Sequence, residues 1–179
     1  MIIDNKNILI FPEYHLTDFP PQIKISQNEA CDILMLYKKY GFDILIAGYV
    51  EENEGKLYSS CVIMDGDNNI NVRKRHPYNE ELKIITPWRG NNDPIELSIG
   101  RSYFVLCNDI VADLTDQRNM NRGEDIENLF LISAMFNNFD ENVKAAIDYC
   151  NRFNIRKFVT VDRFNGVQQQ ILRNFTTDS

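Results

Sequence analysis

Apolar residues fall along this chain in short unbroken runs that end abruptly in charge. Ile8-Leu9-Ile10-Phe11 runs into Pro12-Glu13, Ile70-Asn71-Val72 into Arg73-Lys74-Arg75, and Tyr103-Phe104-Val105-Leu106 into Cys107-Asn108-Asp109. Runs of this length, rich in β-branched and aromatic residues, predict buried strands. Between the first two, Ser26 or Asn28 is placed to cap a helix whose apolar face is Ala30, Ile33, Leu34, Tyr37 and Tyr40, with Gly41 ending it. Asp43 to Tyr49 predicts a buried strand and Glu51 to Gly55 a polar turn. Leu57 to Met64 then pairs with Asn69 to Arg73 across Asp65-Gly66-Asp67-Asn68, a hairpin signal. Pro77 to Pro94 reads as a long loop, a kind of segment that often carries function. After the Cys107 strand come a polar loop through Gly123, a strand at Leu129 to Ala134, and a helix at Glu141 to Phe153 with Val143, Ala146, Ile147 and Cys150 on one face. Phe158 to Val161 predicts another strand, and periodicity leaves the tail from Gly166 open between strand and short helix. Strand and helix alternate, so the expected class is α/β.

At 179 residues the chain is long enough for one sizeable core, and a single domain over 1–179 is expected. A net charge of −7 argues against general nucleic-acid binding, which needs a basic face. No apolar stretch reaches membrane-spanning length, and the opening Met-Ile-Ile-Asp-Asn-Lys is no signal peptide. The cysteines at 31, 61, 107 and 150 form neither a CxxC pair nor a zinc spacing, so reduced thiols and a cytoplasmic setting are expected, with no metal and no cofactor. Cys31, Cys61 and Cys150 lie inside predicted elements and read as inert buried thiols.

Sites in α/β sheets form at the carboxyl ends of strands. Three such ends here supply a carboxylate (Glu13), an ammonium (Lys74) and a thiol (Cys107), the inventory of a cysteine hydrolase without a catalytic histidine. The two histidines, His15 and His76, each follow one of these groups by two residues and read as flanking loop residues. Trp88, in the long loop, reads either as a pocket wall or as packing on the core.

The segments around these ends resemble the nitrilase, or carbon–nitrogen hydrolase, superfamily, whose members use a Glu-Lys-Cys triad. Ile8-Leu9-Ile10-Phe11-Pro12-Glu13 resembles its apolar-Phe-Pro-Glu segment. Gly48-Tyr49, Glu51-Glu52, Gly55-Lys56 and Tyr58 resemble its Gly-x-x-Glu-Glu segment, with Ser59 in place of the usual Asn. Val72-Arg73-Lys74-Arg75-His76 resembles its Tyr-Arg-Lys-x-His motif. Ile99-Gly100 with Val105-Leu106-Cys107-Asn108-Asp109 resembles its Gly-x-x-x-Cys-Tyr-Asp, and Leu131-Ile132-Ser133-Ala134 its later Pro-Ser-Ala strand. The likeness runs from Ile8 to Gly166. It implies a nitrilase-like α-β-β-α sandwich, truncated at both ends, because members begin with a further strand and helix and continue past this length. A Gly-Gly-Ser strand is blurred in Asn165-Gly166-Val167-Gln168.

The resemblance implies that Glu13, Lys74 and Cys107 converge. Lys74 favours the thiolate and faces the oxyanion, which the Asn108 backbone N–H shares. Glu13 moves the protons. A second carboxylate orienting these groups is implied at Glu81, with Glu80 as the near alternative. Nitrile, primary amide, N-carbamoyl compound and acyl acceptor are all substrates in the family; amide hydrolysis is the default. The opposing reading is a nitrilase-like module kept for assembly or ligand sensing in a larger protein or complex. The shortened plan predicts a homo-oligomer, or docking onto a larger partner that covers apolar surface near Ile8 to Phe11 and Phe158 to Val161.

Overall fold

The apolar run from Ile44 to Val50 is buried along its whole length, as a strand covered on both faces must be. It forms most of β3 (Ile44–Asn53) in a computed structural model that describes residues 1–115, 125–134, 139–164 and 167–174. The chain divides into two compact units, Met1–Gly90 and Asn91–Ser179, each with its own five-stranded sheet.

In the first unit the strand order is β1 (Ile2–Ile3), β2 (Lys6–Ile10), β3, β4 (Lys56–Asp65), β5 (Asn68–Arg73). β2 and β3 are parallel, joined through α1 (Gln27–Lys38), and β3 to β5 form an antiparallel meander. Ser26 caps α1 in a capping box with Glu29, each side chain taking the other's backbone N–H. Ala30, Cys31 and Leu34 face Leu45, Ala47, Tyr49, Val62 and Met64 of the sheet. Tyr40 does not join that face: α1 stops at Lys38, and Tyr40 is exposed beyond it. The expected strand edge is also changed, because Met1 to Ile3 fold back and pair with β2.

The segment from Glu51 to Gly55 is not a polar turn. β3 continues to Asn53 and turns on Glu54-Gly55 alone, both at positive φ, with Asn53 opposite Lys56. The polar residues belong to the strand because Glu51 is paired inside. It takes Arg73 on both oxygens at 2.6 and 2.7 Å, with Ser60 Oγ and Asn71 Nδ2 donating as well. The Arg73 guanidinium lies 4.6 Å from the ring centroids of both Tyr58 and Trp88. Trp88 therefore packs on the sheet through a cation.

In the second unit the order is β10 (Val167–Asn174), β9 (Lys157–Phe164), β8 (Asn128–Ile132), β7 (Gly100–Leu106), β6 (Ile95–Leu97). β7, β8 and β9 are parallel, and the edge strands β6 and β10 are antiparallel. The tail is thus a strand, paired residue for residue with β9; Asn165 and Gly166 lie outside the described residues. The loop expected after Cys107 begins instead as a helix, α2 (Asp109–Thr115), and its continuation at 116–124 lies outside the described residues. α2 and α3 (Phe139–Phe153) bury Ile110, Ala146, Tyr149 and Cys150 against Tyr103, Val105, Leu129, Leu131 and Phe158. Among the described residues no helix is long and apolar enough to cross a membrane.

Removing Arg73 leaves the buried Glu51 carboxylate short of its cation and the Tyr58 and Trp88 rings without the guanidinium that lies against both. Arg73→Ala is expected to lower unfolding free energy by ~3 kcal/mol or more, read from the midpoint of urea denaturation.

Candidate active site

β2 and β5 both end in charge, and in the first unit those charges meet. Lys74 Nζ lies 3.0 Å from Glu13 Oε1 and 2.8 Å from Glu81 Oε1, with all three side chains buried. Glu13 Oε1 also accepts the Ser59 hydroxyl at 2.6 Å. Glu81 accepts the Tyr14 hydroxyl at 2.6 Å on Oε1 and the Tyr78 N–H at 2.6 Å on Oε2. Glu13 Oε2 is buried and makes no hydrogen bond among the described residues.

Local backbone rules put the groups there. The turn after β2 presses on β3 at Gly48, where a Cβ would stand 2.4 Å from Glu13 Cα and 2.8 Å from Pro12 O. Only a residue without a side chain permits that approach. Lys74 continues the β4–β5 ladder by donating its N–H to Ser59 O, and its own carbonyl takes the Trp88 N–H. A 3-10 turn at Asn79–Lys83 directs Glu81 inward, while Glu80 is exposed and paired with Lys83.

One ammonium among two buried carboxylates leaves an excess anion. Burial pushes the Glu13 carboxyl up to about 7, with Glu81 adding to the rise and Lys74 and Ser59 opposing it. An acid poised near neutrality, with one oxygen not engaged in a hydrogen bond among the described residues, can both take and return a proton. Burial and the two nearby glutamates push the Tyr14 phenol well above its usual range, so it stays a donor.

In the second unit Cys107 follows β7 at φ 47°, two residues before α2. That positive φ turns the chain sharply from strand to helix. It is held by Cys107 N–H to Ile132 O at 2.9 Å and by Ile110 N–H to Cys107 O at 3.4 Å. The sulfur is buried and accepts Asn142 Nδ2 of α3 at 3.6 Å. Ser133 carries the ladder one step past β8 to Val161 O, and buried Asp162 comes next on β9.

No family model matches the sequence, and no curated protein matches it, but solved structures do. The chain is similar to a carbon–nitrogen hydrolase from Helicobacter pylori G27, at TM-score 0.62 and 17% identity over 94% of this chain and 70% of that one. It is similar to the NitN amidase of a Nesterenkonia species, at TM-score 0.73 and 12% identity over 94% and 71%. It is also similar to a glutamine-dependent NAD+ synthetase from Acinetobacter baumannii, at TM-score 0.68 and 14% identity over 94% of this chain but 34% of that one. The chain has the carbon–nitrogen hydrolase fold.

Within that fold the first unit brings Glu13, Lys74 and Glu81 together, and the second presents Cys107 with Asn108, whose carbonyl accepts the first α2 bonds. His15 stacks on Phe11, and His76 is exposed. Three contributors escaped the sequence reading: Tyr14, Ser59 and Asn142. Tyr14 stands next to Glu13 and Ser59 at the family's Asn position, so both had a signal; Asn142, distant from Cys107 in sequence, had none. Among the described residues no group of three or more His, Cys, Asp or Glu side chains is set to hold a metal ion.

Gly48→Ala is expected to cost ~1–3 kcal/mol of stability by forcing the Pro12–Tyr14 turn off the sheet, read by denaturant midpoint. The Glu13 titration gives a second expectation. Its folded-state pKa is raised from 4.5 to about 7, so its contribution to stability is full below 4.5 and lost as pH rises through about 7. Relative to Glu13→Gln, the wild type should lose about 3 kcal/mol across that window. Ser59→Ala, which removes a donor to the carboxylate, should move the upper end of the window higher; unfolding free energies taken at each pH check both.

Proposed function

We propose that this chain is a cysteine-dependent hydrolase of non-peptide C–N bonds, acting on a small amide or carbamoyl substrate through a Glu13-Lys74-Cys107 triad. The observation that carries the reading is the buried acid–ammonium–acid cluster, with Glu13 near neutrality and its Oε2 open. A packed core has no use for three ionisable groups in mutual contact, because their desolvation is costly. A hydrolase does.

The Glu13 carboxylate takes the Cys107 proton, and the thiolate attacks the substrate carbonyl carbon. The resulting oxyanion is met by the Lys74 ammonium and the Asn108 backbone N–H. Collapse breaks the C–N bond as Glu13 returns its proton to the leaving amine, and a thioester remains on Cys107. Glu13 then deprotonates a water, which attacks the thioester and releases the acid and the thiol. Glu81 holds Lys74 in place throughout. The reading requires the Cys107 sulfur to reach the Glu13–Lys74 pair. It carries with it assembly as a homo-oligomer or on a larger partner, and a cytoplasmic setting suited to four free cysteines.

A second reading, a module serving assembly or ligand sensing in a longer polypeptide, is favoured by one observation. The same fold accounts for 34% of the NAD+ synthetase chain. Chemistry separates the two.

With a panel of primary amides, N-carbamoyl amino acids and nitriles, acid quench and mass spectrometry should find an acyl adduct on Cys107. The rate should rise with pH through about 7 as Glu13 ionises. Cys107→Ala should abolish turnover, and Lys74→Ala should lose more than the ~10²-fold typical of one oxyanion donor. Iodoacetamide should reach Cys107 before Cys31, Cys61 or Cys150, whose thiols burial pushes up, Cys150 to about 12. No turnover, together with a Cys107 labelling rate indifferent to Glu13→Gln and Lys74→Ala, overturns the hydrolase and leaves the module.

A further inference from the structure

We infer that Asn142 is a positioning residue for Cys107, fixing the sulfur by an amide hydrogen bond that favours the thiolate; the inference rests on the nucleophilic role proposed for that thiol. Asn142 lies four residues before Ala146, seven before Tyr149 and eight before Cys150, so it occupies the core-facing stripe of α3. The other members of that stripe bury ring, methyl or thiol, whereas Asn142 is a neutral amide that is only 3% exposed. A buried amide costs ~1–3 kcal/mol unless its hydrogen-bonding groups are satisfied. Its partner here is the Cys107 sulfur at 3.6 Å.

The direction of the bond matters. Cys61 donates its S–H to the Val62 carbonyl at 3.9 Å, an arrangement that keeps the proton on sulfur. Cys107 accepts an N–H, which stabilises sulfur as the anion. Asn142 is the fourth residue of α3, so the positive end of that helix lies on the same side. The buried titratable groups described on the surrounding elements include no cation that would favour the thiolate. Asp109 and Asp113 on α2 and Asp162 on β9 are acids, Asp113 engaged by the Tyr103 hydroxyl, and Tyr103 of β7 and Tyr149 of α3 are phenols. An amide at 142 adds a donor without adding a charge, which an acid in the same place would not do. Its bond also holds the sulfur in one rotamer at a backbone position of positive φ.

The experiment is the pH profile of Cys107 alkylation by iodoacetamide, followed by peptide mass spectrometry on the full chain. Asn142→Leu keeps the volume and removes the donor. It should move the midpoint upward by about one pH unit and slow labelling at neutral pH ~10-fold. Asn142→Asp should move the midpoint further in the same direction. An unchanged or lowered midpoint in a Leu variant that melts as the wild type does overturns the inference. If neither variant folds, the wild type decides it: the Asn142 side-chain amide resonance should titrate with the Cys107 midpoint, and an amide blind to that titration overturns it. Substrate turnover plays no part in these readouts. A shifted midpoint without amide hydrolysis would sink the hydrolase and spare Asn142, and hydrolysis with an unshifted midpoint the reverse.

Discussion

The first unit is organised around the contact of one ammonium with two carboxylates out of water. Lys74, Glu13 and Glu81 each lose most of their hydration, and one positive charge cannot balance two negative ones. Such a cluster persists only when donors satisfy the oxygens and one acid is ready to hold a proton. The donors are divided unequally. Glu81 receives Lys74, Tyr14 and the Tyr78 N–H over both oxygens. Glu13 receives Lys74 and Ser59 on one oxygen and, among the described residues, no hydrogen bond on the other. Burial, with the neighbouring Glu81 charge adding to it and Lys74 and Ser59 opposing it, raises the Glu13 carboxyl to about 7.

Holding that cluster requires a backbone that does not yield, and the surrounding residues supply it. Gly48 lets the Glu13 turn lie directly on β3. One residue before Lys74, Arg73 is gripped by Glu51 and lies against the rings of Tyr58 and Trp88, and the Trp88 N–H closes on the Lys74 carbonyl. The second ion pair is thus an anchor for the first. Both Glu51 oxygens are engaged, by donors from β4 and β5, and a buried polar network satisfied in this way rigidifies a fold.

These facts explain what could be read in the sequence. The strands beginning at Lys6, Ile44, Gly100, Asn128 and Lys157 carry continuous apolar runs, and the β4–β5 turn carries its own Gly signal, so pattern alone found them. Glu51 misled the pattern because polarity was read as exposure, and the charge that pays for its burial lies across two strands. The tail strand stayed open because its order comes from pairing with β9 rather than from local propensity. Among the site residues, Glu13, Lys74 and Cys107 announced themselves as reactive groups closing apolar runs. Ser59 and Asn142 are ordinary polar residues whose meaning depends on what they touch.

The two units carry different reactive groups. The first has an acid raised to about 7 and a fixed cation, but burial drives both of its thiols, Cys31 and Cys61, toward the protonated form. The second has a thiol at a sharp strand-to-helix turn with an amide donor upon it, and among its buried charged residues that are described there is no lysine. Thioester chemistry on an amide needs a nucleophile, a proton carrier and a cation for the oxyanion at once. Neither unit supplies all three. On the proposed reading, turnover needs both inventories, so a change that spared each unit's stability while altering either one would silence it.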